Sequence, residues 1–489
     1  MFYPDFKEFE EKAKEGNLIP VYKEILADLE TPLSAYLKLK VKTGFLLESV
    51  VGGEKWARYS FIGGNPSVII EGKGKNLTVK RGLQKEKIKT DDPLKVISEE
   101  LKKYKPVTMP GLPRFFGGFV GYIGYDTVRH FEKLPDKHHA GLNLPDLFLM
   151  LTDTLLVFDG LTQKIKVISN AHTDGKSAKE AYDEAIQKIE SIEKKLKSRA
   201  VPPKEKSAGE QKQFTSNFAK EDFLKAVEKA KDYVTAGDVI QVVLSQNFQR
   251  DIDIHPLNAY RALRVINPSP YMYYIETGKS TIVGSSPEIL VRLEGDTIEL
   301  RPIAGTRKRG NTEEEDKRLE QELKADPKEM AEHIMLVDLG RNDVGRVAVT
   351  GSVNVTELMT VERYSHVMHL VSNVTGKLRK GLDAFDVLRA SFPAGTVTGA
   401  PKIRAMEIIE ELEPAKRGPY AGCIGYFDFS GNMDMCITIR TIIFKGKKAY
   451  IQAGAGLVAD SVPENEYTET VNKAKGMFKA VEMAEKGLS

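Results

Sequence analysis

The chain has 489 residues, 41% hydrophobic and 29% charged, a mix that excludes a disordered or low-complexity polymer. Lys and Arg total 72 against 69 Asp and Glu, a formal net charge of +3, which argues against a dedicated nucleic-acid binder with a basic excess to neutralise phosphates. The two cysteines, Cys423 and Cys436, cannot build a disulfide framework or a four-thiolate zinc site.

The amino terminus alternates aromatic and acidic residues without a basic leader and apolar run, so no secretory signal is expected. Strand-like runs follow at 43–51, 67–71, 155–158 and 165–169, separated by Gly/Asp turns. The most apolar stretch, 144–158, is interrupted by Pro145, Asp146 and Asp153 and is too short and polar to span a bilayer; a cytoplasmic protein is expected. A charged helix is predicted over 177–196, polar on all sides and therefore at the surface. Residues 198–213 lack apolar periodicity and read as a linker between a region 1–197 and a region 214–489. In the latter, helices are predicted over 220–236, 316–339 and 464–485, and strands over 238–250, 281–284, 289–294, 433–444 and 448–453. The strands come in consecutive pairs, so the expected fold class is α+β, with large, mostly antiparallel sheets packed with helices.

Several short patterns fail. Thr277-Gly278-Lys279-Ser280 ends like a phosphate-binding loop, but Tyr273 stands where its first glycine is required. Gly118, Gly121 and Gly124 lack the dinucleotide spacing and precede Tyr125 and Asp126, not a helix. Both cysteines lie in apolar strand-like runs, so no glutaminase nucleophile is expected on this chain. A pair of acidic helical motifs is more informative. Glu329 and Glu332 are three residues apart and share a helix face, as do Glu466 and Glu469, with Lys473 four residues further on. Four carboxylates on two helices can hold a hard divalent cation. The same spacing also describes two solvated acidic faces, and the pattern alone does not decide.

An ordered series decides more. Gly237-Asp238…Gln241…Gln246, Pro287-Glu288, Arg301-Pro302-Ile303-Ala304-Gly305-Thr306-Arg307 and Glu332-His333…Asp338…Arg341-Asn342-Asp343 are followed by Tyr364…His366…His369, Gly395-Thr396…Pro401-Lys402 and Gly454-Ala455-Gly456. Densely from about 214 onward and more thinly before it, this series resembles the chorismate-utilising enzymes, within them the branch that makes anthranilate. Family members that add water carry Lys where Gln241 stands, and a neutral amide cannot serve as that base. Members of the covalent aminodeoxychorismate-forming type carry Lys in place of Ala304. Leu46-Leu47-Glu48-Ser49 and Asn267-Pro268-Ser269-Pro270-Tyr271-Met272 resemble the two halves of the family's feedback site for L-tryptophan, with Cys436 and Met272 on the path to the active site.

The resemblance implies a conversion of chorismate and ammonia to anthranilate and pyruvate, the first step of tryptophan biosynthesis. It implies Glu288 as general acid for the departing C4 hydroxyl, His369 for the elimination step with Thr396 beside it, and Gln241 in place of a water-activating base. Mg²⁺ on Glu332 and Glu469, with Glu329 and Glu466 completing the shell, would hold the ring carboxylate. Tyr420 and Arg440, with backbone amides along Gly454, Ala455 and Gly456, would take the enolpyruvyl carboxylate; Gly305, Thr306 and Lys473 would complete the ring side. His333 is discounted because it points about 100° away from Glu332. Glu48, Ser49, Pro270, Tyr271 and Met272 would bind the inhibitor. A separate glutamine amidotransferase subunit would supply the ammonia. Rival readings are the aminodeoxychorismate-forming branch and a catalytically silent tryptophan-binding regulator. Because the motifs must converge on one pocket and the two feedback segments straddle the linker, two interlocked domains are expected in place of the three that length suggests at about 150 residues each. The single Trp56 is consistent with an enzyme made when tryptophan is scarce.

Overall fold

The computed structural model describes residues 1–50, 58–137, 141–204, 212–364 and 367–488; Trp56, His366 and residues 205–211 of the expected linker lie outside them. Two twelve-stranded sheets dominate. The first runs through Leu18–Leu26, Lys164–His172, Thr154–Asp159, Tyr59–Gly64, Gly44–Glu48, Tyr271–Glu276, Thr281–Ser286, Thr441–Lys445, Lys448–Leu457, Gln241–Asp251 and Thr215–Ser216, with Gly399–Ala400 beside Gln241–Asp251. The second runs from Ile303–Lys308 through Val367–Lys377, Thr297–Leu300, Ile289–Glu294, Met433–Ile437 and Cys423–Asp428 to Gly118–Ile123, Leu147–Thr152, Val68–Lys73, Asn76–Arg81 and Gln84–Lys89; Asn354–Arg363 also pairs with Val367–Lys377. Every one of these ladders is antiparallel, as the paired strand pattern predicts. Both sheets draw strands from either side of residues 198–213. In the first the seam pairs Glu48 with Met272; in the second it pairs Gly118 with Asp428.

Burial explains the strand patterns. Leu147–Thr152, sequence LFLMLT, is buried at every position because both its faces are covered, whereas Lys448–Leu457 begins with strict alternation. The largest cluster of buried side chains includes Phe115, Phe119, Tyr122, Phe148 and Phe427. Each such aromatic contributes roughly 1.5–3 kcal/mol of burial. A second cluster joins the first sheet to the helices Ala178–Leu196, Pro256–Ile266 and Pro463–Lys486. Among the described residues no helix is long and apolar enough to cross a membrane.

Three sequence expectations change. The helix Ala178–Leu196, capped by Ser177 and Glu180, is not polar all round: Ala181, Tyr182, Ala185, Ile189 and Leu196 form a buried stripe. The run 316–339 is two helices, Glu313–Ala325 and Pro327–Gly345, because Pro327 takes the first helical position and Asp326 caps the backbone of Lys328 and Glu329. The run 433–444 is two strands, Met433–Ile437 and Thr441–Lys445, in different sheets. At their junction Arg440 adopts a left-handed φ of 51°, a conformation that costs a non-glycine residue of order 1 kcal/mol or more.

Candidate active site

The junction at Arg440 lies where the chain passes from one sheet to the other, among the candidate site residues. Its half-buried guanidinium has no carboxylate within ion-pair distance among the described residues. Its charge is felt by Glu288, Tyr420 and His369, and it in turn feels Glu288, Tyr420 and Glu469. Burial lowers its pKa from the ordinary value, as expected of a desolvated cation without an ion-pair partner.

Glu288 sits between Pro287 and the strand Ile289–Glu294, and its backbone carbonyl accepts from Ile437 N–H at 3.0 Å. Burial pushes its carboxyl up to about 7, against the opposing pull of the Thr396 hydroxyl, Arg440 and Lys473. The Thr396 hydroxyl is buried and has no hydrogen-bond partner within 3.5 Å, although it lies near enough to favour the ionised form of Glu288. A carboxyl poised near neutrality in a buried setting is what a general acid requires.

Gln241 opens the strand Gln241–Asp251, whose ladder with Lys448–Leu457 aligns Val243 with Gly456 and Ser245 with Gly454. Pleating therefore puts Gln241, Gly454 and Gly456 on one face, while the Ala455 side chain is buried on the other. A Cβ at Gly456 would come within 2.4 Å of Gln241 Nε2. The missing side chain leaves that amide free to donate to Glu332 Oε1 at 3.2 Å. Lys473 Nζ donates to the Gly454 carbonyl at 3.1 Å and pairs with Glu469 at 2.6 Å, joining the last helix to the same face. Tyr420 stands over it, its hydroxyl pushed up to about 12 by burial.

The four acidic residues of the paired helical motifs form one electrostatic group. Glu332 is raised by burial, with Glu329 and Glu469 adding to the shift; Glu466 is raised by burial and then by Glu469. Each is turned toward a protein partner: Glu329 to Arg307 at 3.0 Å, Glu332 to Gln241, Glu469 to Lys473 and Glu466 to Ser461. Consequently no three His, Cys, Asp or Glu side chains converge as metal ligands among the described residues. The donor set nevertheless fits a hard divalent cation, since mutually repelling carboxylates are oxygen ligands whose charge such an ion would offset.

Across the pocket, a bulge separates Ala304 from Thr306 in the ladder that pairs Thr306 with His369. Gly305, at φ 69°, supplies the left-handed residue that the bulge needs. It turns its carbonyl to His369 Nδ1 at 3.1 Å, and Thr306 Oγ1 lies 3.0 Å from the same nitrogen. A carbonyl only accepts, so Nδ1 carries the proton and Nε2 is left with a free lone pair. Burial is the main cause lowering the His369 pKa, helped by Arg440, which favours the neutral ring. His333 is different: fully buried, bonded to Ser372 at 2.6 Å and lowered by burial to about 4, it is a structural histidine.

Glu48, Ser49, Pro270, Tyr271 and Met272 line a separate cavity of about 380 Å³, a size suited to a small ligand. Sequence reasoning missed its other walls. Arg114 and Arg292 both pair with Asp434, at 3.2 and 3.1 Å, and Tyr271 donates to Asp434 at 2.8 Å. Phe61, Tyr59 and Tyr426 add aromatic surface. Glu48 accepts from Tyr260, pairs with Arg264 at 3.2 Å and is raised by burial. The buried Ser49 hydroxyl has no protein partner among the described residues. Cys436 also lines the cavity. Alternation along Met433–Ile437, which sends Asp434 and Cys436 to one face, was the only signal in the sequence. Arg307 was quoted in a motif but given no role; its ion pair with Glu329 appears only in the fold.

The model of the chorismate binding enzyme family matches residues 52–479, and the chain belongs to that family. It is 52% identical over 99% of its length to anthranilate synthase component 1 of Acetivibrio thermocellus, with 99% of that protein covered. It is 54% identical to the same component of Aquifex aeolicus, with 96% of each chain covered. Among solved structures, anthranilate synthase component I of Streptococcus pneumoniae superposes with a TM-score of 0.77 at 40% identity, covering 93% of this chain and 98% of that one. The menaquinone-specific isochorismate synthase of Escherichia coli, at 20% identity and a TM-score of 0.71 over 97% of this chain and 98% of that one, has the same fold.

Proposed function

We propose that this chain is the chorismate-aminating subunit of an anthranilate synthase. The observation that carries the reading is the buried Glu288 carboxyl, poised near neutrality beside Arg440, in a chain whose Gln241 amide, bonded to Glu332, cannot activate water. Chorismate brings two carboxylates, a C4 hydroxyl and an enolpyruvyl ether. Arg440 and Tyr420 meet the enolpyruvyl carboxylate, and the glycine backbone at 454–456 lets it approach closely. Ammonia forms the bond to C2, the double bonds shift, and the C4–O bond breaks as Glu288 gives its proton to the departing hydroxyl, which leaves as water. His369 Nε2 then takes the C2 proton; the enolpyruvyl C–O bond breaks, pyruvate leaves after its methylene gains a proton, and the ring becomes aromatic. Atoms and charge close: the chorismate dianion and ammonia become anthranilate, pyruvate and water.

Glu332 and Glu469, with Glu329 and Glu466, would hold Mg²⁺ once they turn from their present partners. When bound, that ion offsets the ring carboxylate's charge and draws electron density from the ring. The ammonia would come from a separate glutamine amidotransferase subunit, a reading supported by the relatives' designation as component 1. L-Tryptophan would occupy the 380 Å³ cavity as feedback inhibitor, its indole against Phe61 and Tyr426 and its charged ends near Glu48 and the arginines. Incubation with chorismate, Mg²⁺ and ammonium should yield anthranilate fluorescence, lost on chelation and suppressed by L-tryptophan. A non-aromatic aminated product, or no consumption of chorismate, would overturn the assignment.

A further inference from the structure

A second, smaller space adjoins Glu288. A cavity of about 40 Å³ is lined by Glu288, Thr396, Asp343, Ser391 and Pro302 among others, whereas none of Gln241, His369, Tyr420, Arg440 or Lys473 lines it among the described residues. Asp343 is 4% exposed. Its Oδ2 accepts from Lys402 Nζ at 2.8 Å, and Lys402 also donates to the Ser391 carbonyl at 3.3 Å. Its Oδ1 is buried without a protein partner among the described residues, as is the Thr396 hydroxyl. Leaving a buried carboxylate oxygen unbonded costs about 1–3 kcal/mol or more. Three polar groups thus face a space with room for a water or two at about 30 Å³ each, and such a water needs two to four partners.

We infer that this cavity holds the water through which Glu288 regains its proton after each turnover, with Asp343 as a positioning residue for that proton and Lys402 fixing its orientation. The inference rests on Glu288 being the acid. The step balances: Glu288 has given its proton to the departing hydroxyl, so the Asp343 carboxylate takes a proton from solvent and hands it to the water as the water passes one to Glu288, which leaves Asp343 a carboxylate beside Lys402 again. The proton that the new ammonium group sheds as it becomes an amine returns the count to zero. Burial raises Asp343, opposed by Lys402 and Arg346. Arg440 and Lys473 face Glu288, and Arg301 also lines the cavity.

The test is rapid-quench kinetics on the full chain with chorismate, Mg²⁺ and ammonium. At pH 6, below the Glu288 value of about 7, Asp343→Asn should perform its first turnover at the wild-type rate, because Glu288 starts largely protonated, and then fall to a steady state slower by ~10-fold or more, giving a burst of about one product per site. Imidazole buffer should accelerate the slow phase. Unchanged steady-state turnover would overturn the relay, and so would a first turnover slowed in parallel with the steady state, the mark of a structural role. Should the variant fail to fold, the wild-type rate against D₂O fraction is decisive: a bowed curve, from two or more protons in flight, is expected, and a straight line overturns the proposal. Activity surviving in Glu288→Gln would remove the acid assignment itself, an outcome distinct from any of these.

Discussion

Buried carboxyls such as Glu288 link rate and stability to the same proton. Its folded pKa, about 7, lies above its ordinary value of 4.5, so the folded state binds the proton more tightly than the unfolded one. The stability that this group contributes is complete below about pH 4.5 and is lost as pH rises through 7, roughly 3 kcal/mol in all. Glu288→Gln should therefore lose amination while melting at a higher temperature than wild type at pH 8, with the gap closing near pH 4.5. A variant that keeps more than a tenth of wild-type turnover would sink the acid role. In the wild type, kcat/KM for chorismate should fall above about pH 7, and the limb in kcat should lie higher, since a bound dianion disfavours ionisation of Glu288 further. His369→Ala should still aminate chorismate but accumulate the non-aromatic adduct, resolvable by chromatography; chorismate left unconsumed would mean that the histidine acts earlier.

Strand pairing explains why so much of the site was legible along the chain and where legibility stopped. Gln241, Gly454 and Gly456 converge because two adjacent antiparallel strands present them on one face, and short-range motifs mark both strands. Replacing Gly456 with Ala should push the Gln241 amide off Glu332, since the added carbon would lie 2.4 Å from it. A drop of about tenfold in kcat/KM, or ~1.4 kcal/mol, with an unchanged melting temperature is expected; unaltered kinetics would mean that the amide tolerates displacement. Other features left no mark in composition. The stripe Ala181, Tyr182, Ala185, Ile189 and Leu196 includes two alanines, whose weak hydrophobic signal was swamped by the Lys and Glu between them. The switch between sheets at 438–440 interrupts an apolar run with neither Gly nor Pro. The break at Asp326-Pro327 was in plain view as a capping signal and was overlooked in favour of a long periodic run.

For the molecule as a whole, the two sheets are continuous across residues 198–213, so the regions on either side share hydrogen-bonded ladders and buried side chains. Calorimetry should give one cooperative transition; two well-separated transitions would contradict the shared ladders. The walls of the 380 Å³ cavity come from both regions, with Glu48 and Ser49 on one and Tyr271, Arg292 and Asp434 on the other. No local motif could reveal the arginines and Asp434, because their association exists only after the strands pair. Ser49→Phe should fill this space and weaken tryptophan inhibition at least tenfold with turnover intact, measured by anthranilate fluorescence. Unchanged inhibition would locate the effector elsewhere.

Cys436, in the wall of that cavity, and Arg440, without an ion-pair partner among the described residues, are separated by three residues of a chain that is changing sheets. Under the proposal that L-tryptophan occupies this cavity, selection for an insensitive enzyme has two unequal routes. Changes at Ser49, just past the end of the strand Gly44–Glu48, which supplies none of the proposed catalytic side chains, leave turnover free to persist. Changes at Cys436 disturb the stretch that aims Arg440 in its left-handed conformation, so insensitivity gained there should come with a rise in KM for chorismate. Lineages selected for such insensitivity should accordingly accumulate substitutions at Ser49 before the strand that carries Cys436.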